Sequence, residues 1–462
     1  MGEKLLSVGL DVGTTSTQMV VSELEIENQA GSFSVPKMQI TGRKIRYRSP
    51  VHVTPLLTGE LVDGEALRRT VEEEYRRAGI TKEDVDTGAV IITGETSRKE
   101  NARAVLESLA EYAGDFVVAT AGPDLESRLA AQGAGAVEFS RKTGKTVLHM
   151  DIGGGTSNLT KIENGKITGT GCLNVGGRLV KISEAGKLLY VSPVLAGLLH
   201  KRVGEQVNRQ EIMALAGILV RALEAAAGLR EDEGLLGKLL TAEAGRMEAP
   251  KGAVISFSGG VADCIESRKE WLEFGDMGPE LGQAIRESRL CRGEYMLGRE
   301  TIRATVIGAG CHSTQLSGST VYCQNVAFPL KNLPVVRFDE SETSFQRRLR
   351  ELDTDGVIAM KGIPGAGYGA LSDLAGKIAS LGLEPVYLAL EEDMAKALGQ
   401  MLALRMGKNA RILCVDRVAL TDGMYLDVGA PVGPALPVVV KTLVLGRQDE
   451  GGHYETENDP AG

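Results

Sequence analysis

Two carboxylates, Asp11 and Asp151, occupy the same place in two copies of one pattern. The first copy reads Asp11-Val12-Gly13-Thr14-Thr15-Ser16-Thr17, the second Asp151-Ile152-Gly153-Gly154-Gly155-Thr156-Ser157. In each, an apolar run ends in Asp and is followed by glycine and then by hydroxyl residues. Glycine lets backbone N–H groups approach an anion with no side chain in the way. The hydroxyls of Thr14, Thr15 and Thr156 can donate to phosphate oxygens, and a carboxylate can hold Mg²⁺, usually through water. One copy by itself is as readily a glycine-rich β-turn. Its repetition 140 residues later favours two cradles for one polyphosphate, with Asp11 and Asp151 sharing a metal.

The elements that must position these groups follow from periodicity. After each loop the chain alternates apolar and polar residues (18–24 and 158–162), which reads as a strand returning antiparallel beside the first. Both loops are then hairpin tips. A third glycine pair, Gly259 and Gly260, ends the apolar run 253–258, where backbone can approach a base or ribose; a helix starting after a strand explains it equally well. Around the first hairpin the spacing predicts strands over 5–11, 17–26, 37–47, 88–92 and 116–119, with helices over 65–77, 97–113 and 123–132. This is one lobe, residues 1–138. A second, 139–330, repeats the plan with a helical insertion whose stripe runs through 208–228. Residues 331–447 alternate strand and helix as a C-terminal α/β domain, with helices over 344–352, 371–381 and 394–405. Its loop 362–369 lacks the Gly-Lys-Ser/Thr ending of a P-loop and reads as a connection. The acidic, glycine-rich 448–462 is expected to be disordered. Gly133-Ala134-Gly135-Ala136 and Gly308-Ala309-Gly310 would let helices cross closely between the lobes, either as a hinge or as ordinary close helix packing.

With these residues in view, the ordered set 11–17, 151–157 and 257–263 resembles the two phosphate motifs and the adenosine motif of the actin-like ATPase superfamily. Asn174-Val175-Gly176-Gly177-Arg178 resembles the Gly-Gly turn that follows the second phosphate hairpin in the chaperone members, although Arg178 stands where they usually carry an acid. More specifically, the chain resembles the ethanolamine ammonia-lyase reactivating factors of the EutA type. The resemblance rests on residues 9–17, on Ile92-Thr93-Gly94-Glu95-Thr96-Ser97-Arg98-Lys99-Glu100-Asn101-Ala102, on 150–158 and on Pro437-Val438-Val439-Val440-Lys441-Thr442. It implies an α/β fold with two related lobes of mixed sheet flanked by helices around a nucleotide cleft, plus the C-terminal α/β domain. It also implies ATP/ADP and Mg²⁺ as cofactors, with a slow Mg-dependent hydrolysis coupled to conformational change in a partner. That partner is adenosylcobalamin-dependent ethanolamine ammonia-lyase, whose damaged cobalamin is released so that intact cofactor can rebind. The reactivating chain holds no cobalamin of its own, and its expected setting is the cytoplasm, in association with an ethanolamine-utilisation microcompartment.

On that resemblance Gly176 and Gly177 join Gly13, Thr14, Thr15, Gly153, Gly154, Gly155, Thr156, Gly259 and Gly260 as cofactor-binding residues. Asp11 and Asp151 are the metal and catalytic carboxylates. Glu95 ends a strand at the cleft, and reads either as a water-positioning or metal-linked carboxylate or as the cap of the next helix. The chaperone ATPases carry a Glu before the Pro that opens the later helix; here Gly122 precedes Pro123, and Asp124 is the nearest substitute.

Composition excludes other classes. Charged residues make up 24% of the 462, and mean hydropathy is −0.05, as in ordinary soluble chains. No apolar run approaches the roughly 18 residues that span a bilayer. The opening Met1-Gly2-Glu3-Lys4-Leu5 leads straight into a strand, so no secretory signal is expected. A net charge of −9 and few aromatics argue against nucleic acid. Six cysteines without Cys-x-x-Cys spacing and five scattered histidines suggest neither disulfide framework nor zinc site, and His149 reads as a core residue. A homo-oligomer is compatible with the sequence. Two other functions share the motifs. A small-molecule kinase would need a general-base Asp beside its acceptor, and none is evident; nothing specific supports an actin-like scaffold.

Overall fold

The computed structural model describes residues 3–13, 16–28, 38–58, 61–93, 101, 105, 109, 112, 118–120, 123–231, 234–241, 252–312, 314–316, 321–338, 355–420, 424–429, 431 and 436–442. Thr14, Thr15, Glu95 and Gly122, most of the helix expected over 97–113, the helix expected over 344–352 and the tail 448–462 lie outside the described residues.

The first sheet is built from β1 (Glu3–Val12), β2 (Ser16–Asn28), β3 (Met38–Arg48), β4 (Thr87–Ile92) and β5 (Val118–Thr120), in the order β3-β2-β1-β4-β5, with a sixth, two-residue strand, His52–Val53, against the start of β2. β1 runs antiparallel to β2 and parallel to β4. The second sheet holds β6 (Val147–Ile152), β7 (Ser157–Glu163), β8 (Lys166–Leu173), β9 (Val254–Ser258) and β10 (Tyr295–Leu297), in the order β8-β7-β6-β9-β10. Here β6 is antiparallel to β7 and parallel to β9. Order and sense are the same in both sheets, so the repeated motif belongs to a repeated architecture.

Strands paired in parallel are covered on both faces, so they read as unbroken apolar runs. Every residue of β4 and of β6 is buried. Helix α1 (Gly64–Ala78) lays Leu67, Val71 and Tyr75 against the first sheet, with Asp63 as N-cap accepting from the Ala66 N–H and Gly79 ending it in the left-handed region. α2 (Pro123–Gly133) lies against the second sheet and leads through α3 (Ala136–Thr143) into β6. In the second lobe α4 (Arg209–Ala226) buries Ile212, Leu215, Ala216, Leu219, Val220 and Leu223, the stripe expected from spacing. It opens on a capping box between Asn208 and Glu211 and packs on α5 (Gly278–Glu287).

α2 crosses α6 (Ala304–His312), which also lies across β1, β2 and β4. A Cβ on Gly133 would stand 1.9 Å from the Ala304 carbonyl oxygen, and one on Gly308 2.0 Å from that of Leu129. The two helices therefore touch through bare backbone, as the small-residue pairs suggested.

α6 leads into the third sheet, made of β11 (Thr314–Leu316), β12 (Tyr322–Gln324), β13 (Leu330–Arg337), β14 (Val357–Met360), β15 (Val386–Leu390), β16 (Ile412–Val415), β17 (Met424–Val428) and β18 (Pro437–Thr442). Its order is β11-β18-β17-β13-β14-β15-β16-β12, with β13 to β16 parallel. Helices α7 (Tyr368–Ser380) and α8 (Ala395–Met406) cover one face. β11 and β12 join this sheet from before the division drawn at 330 and 331; three-residue strands are too short to show a period. The expected plan of two related α/β lobes followed by an α/β sheet domain is the observed one. Among the described residues no helix is long and apolar enough to cross a membrane.

Candidate functional site

Each motif is a hairpin tip closed by the same bond. The Gly13 N–H donates to the Ser16 carbonyl at 2.9 Å, and the Gly153 N–H to that of Thr156 at 2.9 Å. The first tip is braced by Thr54, whose hydroxyl donates to the Gly13 carbonyl at 2.8 Å. The second is backed by the Gly-Gly turn. Gly177 N–H donates to the Gly153 carbonyl at 3.0 Å and Arg178 N–H to that of Gly154 at 2.6 Å. A Cβ on Gly176 would lie 2.3 Å from the Gly154 carbonyl oxygen, so only glycine allows this stacking of loops. Gly176 and Gly177 are buried behind the tip, while nothing stands within 4 Å of where a Cβ on Gly155 would project, leaving its face open.

Gly259 is needed for a reason that its sequence did not suggest. Its φ is +85° and a Cβ would stand 2.3 Å from the Ile152 carbonyl, so its constraint is the β6 backbone, not a ligand. Gly260 is the partly exposed member of the pair. The Val261 N–H donates to the Ile152 carbonyl at 3.2 Å, which fastens this loop to the second tip.

Asp11 and Asp151 each stand next to last in the central strand of a sheet, and each has an amide directly opposite on the hairpin's second strand: Gln18 and Asn158. Cross-strand partners share a face. Thr93 Oγ1 donates to Asp11 Oδ1 at 3.0 Å. Asp151 accepts from Ser258 and from the Thr305 hydroxyl on α6. Burial pushes both acids up, Asp11 to about 7 and Asp151 to about 6, against the pull of those hydroxyl donors.

A third carboxylate joins them. Glu126, on the first turn of α2, is raised to about 8 by burial and then by the charges of Asp151 and Asp11, with a hydrogen bond from Asn158 working the other way. Asp124, the substitute considered from sequence, is not at the cleft. Its carboxylate is exposed and accepts from Thr170 Oγ1 at 2.6 Å and Arg128 Nε at 3.0 Å. The helix turns 100° per residue, so two positions along its first turn face different ways.

This donor set fits Mg²⁺. Gln18 Oε1 and Asn158 Oδ1 are buried without a hydrogen-bond partner, beside carboxylates that burial holds partly protonated. Hard oxygen donors of this kind suit a cation that keeps much of its own water. Among the described residues no three His, Cys, Asp or Glu side chains form a ready cage, so phosphate and water would complete the coordination.

Gln18, Asn158, Thr93, Ser258, Thr305 and Glu126 were missed by sequence reasoning. The first two carried a signal: the amide lies seven residues after the Asp in both copies. The others come from separate elements and have none. Arg178, noted as a departure, lays its side chain 3.5–3.7 Å from a Cβ position on Gly154 while its Nε bonds Asp276 Oδ2 at 3.1 Å. Asp276 in turn accepts from the Gly278 N–H that opens α5, at 2.8 Å.

The profile of the family described as Ethanolamine utilisation protein EutA matches residues 3–446. Two curated relatives, the ethanolamine ammonia-lyase reactivases EutA of Salmonella typhimurium (strain LT2) and of Escherichia coli (strain K12), are each 36% identical, over 96% of this chain and 99% of their own. The solved structure of ethanolamine utilization protein EutJ from Carboxydothermus hydrogenoformans aligns with 66% of this chain and 89% of that one, at 17% identity and a TM-score of 0.33, a likeness too remote to bear on the reading. The full-length match to the family profile and to both relatives shows that this chain belongs to the Ethanolamine utilisation protein EutA family.

Proposed function

We propose that this chain reactivates adenosylcobalamin-dependent ethanolamine ammonia-lyase in an ATP-driven, chaperone-like cycle, releasing damaged cobalamin so that intact cofactor can rebind. The observation that carries the ATP-driven part is the convergence of Asp11, Asp151 and Glu126 at the feet of two glycine hairpin tips. The partner comes from the relatives, which are named reactivases of that lyase and align along nearly their whole length.

On this reading Gly13, Thr14, Thr15, Gly153, Gly154, Gly155 and Thr156 hold the phosphates of ATP or ADP. Gly260 approaches the adenosine, on a loop that Gly259 seats against β6, and Gly176 and Gly177 support the second tip from behind. Asp11 and Asp151 hold Mg²⁺, with Gln18 and Asn158 supplying further oxygen. When bound, Mg²⁺ neutralises phosphate charge that would otherwise repel the three acids. Glu126 accepts the proton of the attacking water, a role suited to a carboxylate whose affinity for protons lies near neutral pH. Glu95 is the other acid for positioning that water. Closure on ATP and reopening after hydrolysis alter affinity for the lyase. The chain itself holds no cobalamin.

The test is ATP hydrolysis with Mg²⁺, alone and with ethanolamine ammonia-lyase inactivated by cyanocobalamin. Recovery of lyase activity that requires both ATP and added adenosylcobalamin is the expected result. Turnover that ignores the lyase and rises with a sugar or polyol would replace this reading with a small-molecule kinase. Asp11→Ala and Asp151→Ala should each abolish Mg²⁺-dependent hydrolysis and leave the circular dichroism spectrum unchanged.

A further inference from the structure

His149 is fully buried in β6, two residues before Asp151, and both of its ring nitrogens are engaged. Nδ1 lies 3.0 Å from Ser256 Oγ and Nε2 lies 2.9 Å from Ser258 Oγ. Ser258 Oγ also contacts Asp151 Oδ1 at short hydrogen-bond distance. The contacts follow from strand register, because β6 and β9 are parallel neighbours with His149 beside Ser256 and Asp151 beside Ser258. All four side chains lie on one face of the sheet.

Counting protons gives this chain a direction. In the ionised state that binds Mg²⁺, Asp151 only accepts, so the single hydroxyl proton of Ser258 goes to Asp151. Ser258 Oγ must then accept from His149, which puts the imidazole proton on Nε2. A neutral imidazole carries no second proton, so Nδ1 is bare and accepts from the Ser256 hydroxyl. The ring is fully buried with a hydroxyl against each nitrogen, the setting of a neutral imidazole. Every donor then points the same way, and hydrogen bonds in such a chain polarise one another.

We infer that Ser256, His149 and Ser258 form a directed positioning relay that orients the Asp151 carboxylate and supports its charge where Mg²⁺ binds. None of the three touches the ligand; they act through Asp151. The inference rests on the proposed Mg²⁺-nucleotide reading of that carboxylate. Apart from the relay, Asp151 takes the hydroxyl of Thr305, so the carboxylate is held from β9 on one side and α6 on the other.

The test compares Ser258→Ala, His149→Leu, His149→Gln and the double variant Ser258→Ala/His149→Leu in full-length protein. The readouts are the Mg²⁺ concentration for half-maximal ATP hydrolysis and, separately, Tm. Loss of a group that orients a metal ligand typically weakens metal affinity about 10- to 100-fold. Ser258→Ala and His149→Leu should each raise the half-saturating Mg²⁺ by about tenfold. The double variant should be no worse than Ser258→Ala alone, because the effects share one route. His149→Gln should restore most of the loss, since its amide N–H can replace Nε2–H. Unchanged Mg²⁺ dependence with a lowered Tm would make the trio ordinary packing and overturn the inference.

A second measurement reads the wild-type protein and needs no ATPase activity. In wild-type protein labelled with ¹⁵N-histidine, the His149 signal, identified by its loss in His149→Gln, should show a protonated Nε2 and a bare Nδ1. If His149→Gln does not fold, the other four histidines are substituted one at a time and the remaining signal is that of His149. A proton on Nδ1 would overturn the relay even if hydrolysis is normal. The expected tautomer in a wild-type protein that hydrolyses no ATP would overturn the proposed function instead, and the relay would stand as support for Asp151 alone.

Discussion

Three carboxylates round one cleft cannot all be charged without a cation close by. Asp11, Asp151 and Glu126 are raised to about 7, 6 and 8 from ordinary values near 4, chiefly by burial. Without Mg²⁺ and nucleotide the folded chain therefore holds protons that the unfolded chain has released. A raised acid contributes stability that is present at low pH and lost as pH climbs through its folded value. Tm of the ligand-free protein should thus fall between about pH 4 and pH 8, and Mg·ATP should flatten that slope. A thermal scan over this range, with and without Mg·ATP, checks the sign. Replacement of Glu126 by Gln should leave ATP affinity nearly intact and slow single-turnover hydrolysis by at least about 100-fold, the usual weight of a general base. The two Asp residues were legible in the sequence because a loop motif announces its own carboxylate. Glu126 was not, because a helix written as Pro123-Asp124-Leu125-Glu126 offers two acids, and only tertiary packing decides which one faces the cleft.

Elements were easier to read than residues wherever burial imposed a period. The Leu67, Val71 and Tyr75 face of α1, the stripe of α4 and the apolar runs of β4 and β6 follow from one or two packed faces. The three-residue strands β11 and β12 have too few residues for a period, and their place in the third sheet depends on partners about 90 to 125 residues away in sequence. Close approach at Gly133 and Gly308 was legible as small residues, but not as contact between a Cα and a carbonyl oxygen. At that crossing a methyl group has nowhere to go, because its neighbours are backbone. Gly308→Ala should destabilise the protein by about 1–3 kcal/mol, the range for forced overpacking, through a lower denaturation midpoint with an unchanged m-value. Gly79→Ala is a contrasting case: nothing lies within 4 Å of its Cβ position, so any loss there comes from its left-handed φ of +69°.

At the scale of the whole molecule, α6 is the element that meets everything. It lies across β1, β2 and β4, crosses α2, sends Thr305 to Asp151 and runs on into β11. Gly9 and Gly310 fit it closely against β1, where Ser7 donates its hydroxyl to the Gly310 carbonyl. A change in the separation of the lobes would thus be felt at the start of the third sheet. Hydrogen exchange with and without Mg·ATP should show altered protection in α2, α6 and β11 as well as in the hairpin tips. Changes confined to the tips would mean that the third sheet does not follow the nucleotide.

The backbone bonds behind the second tip have a consequence for the order of events. Gly153, Gly154, Gly177, Gly259 and Val261 are tied to one another within a single lobe, by bonds of 2.6–3.2 Å and by contacts that tolerate no Cβ. On the proposed reading, that lobe grips one group of phosphates and the adenosine together, with Glu126 held beside it by Asn158, while the first lobe adds a single hairpin tip with Asp11. Residence and reaction are then divided between the halves. An opened molecule would keep its nucleotide, Asp151 and Glu126 on the second lobe while losing Asp11 and the first hairpin tip. Separation of the lobes would halt turnover before it released ADP, leaving an interval in which the chain is open toward a partner and still loaded.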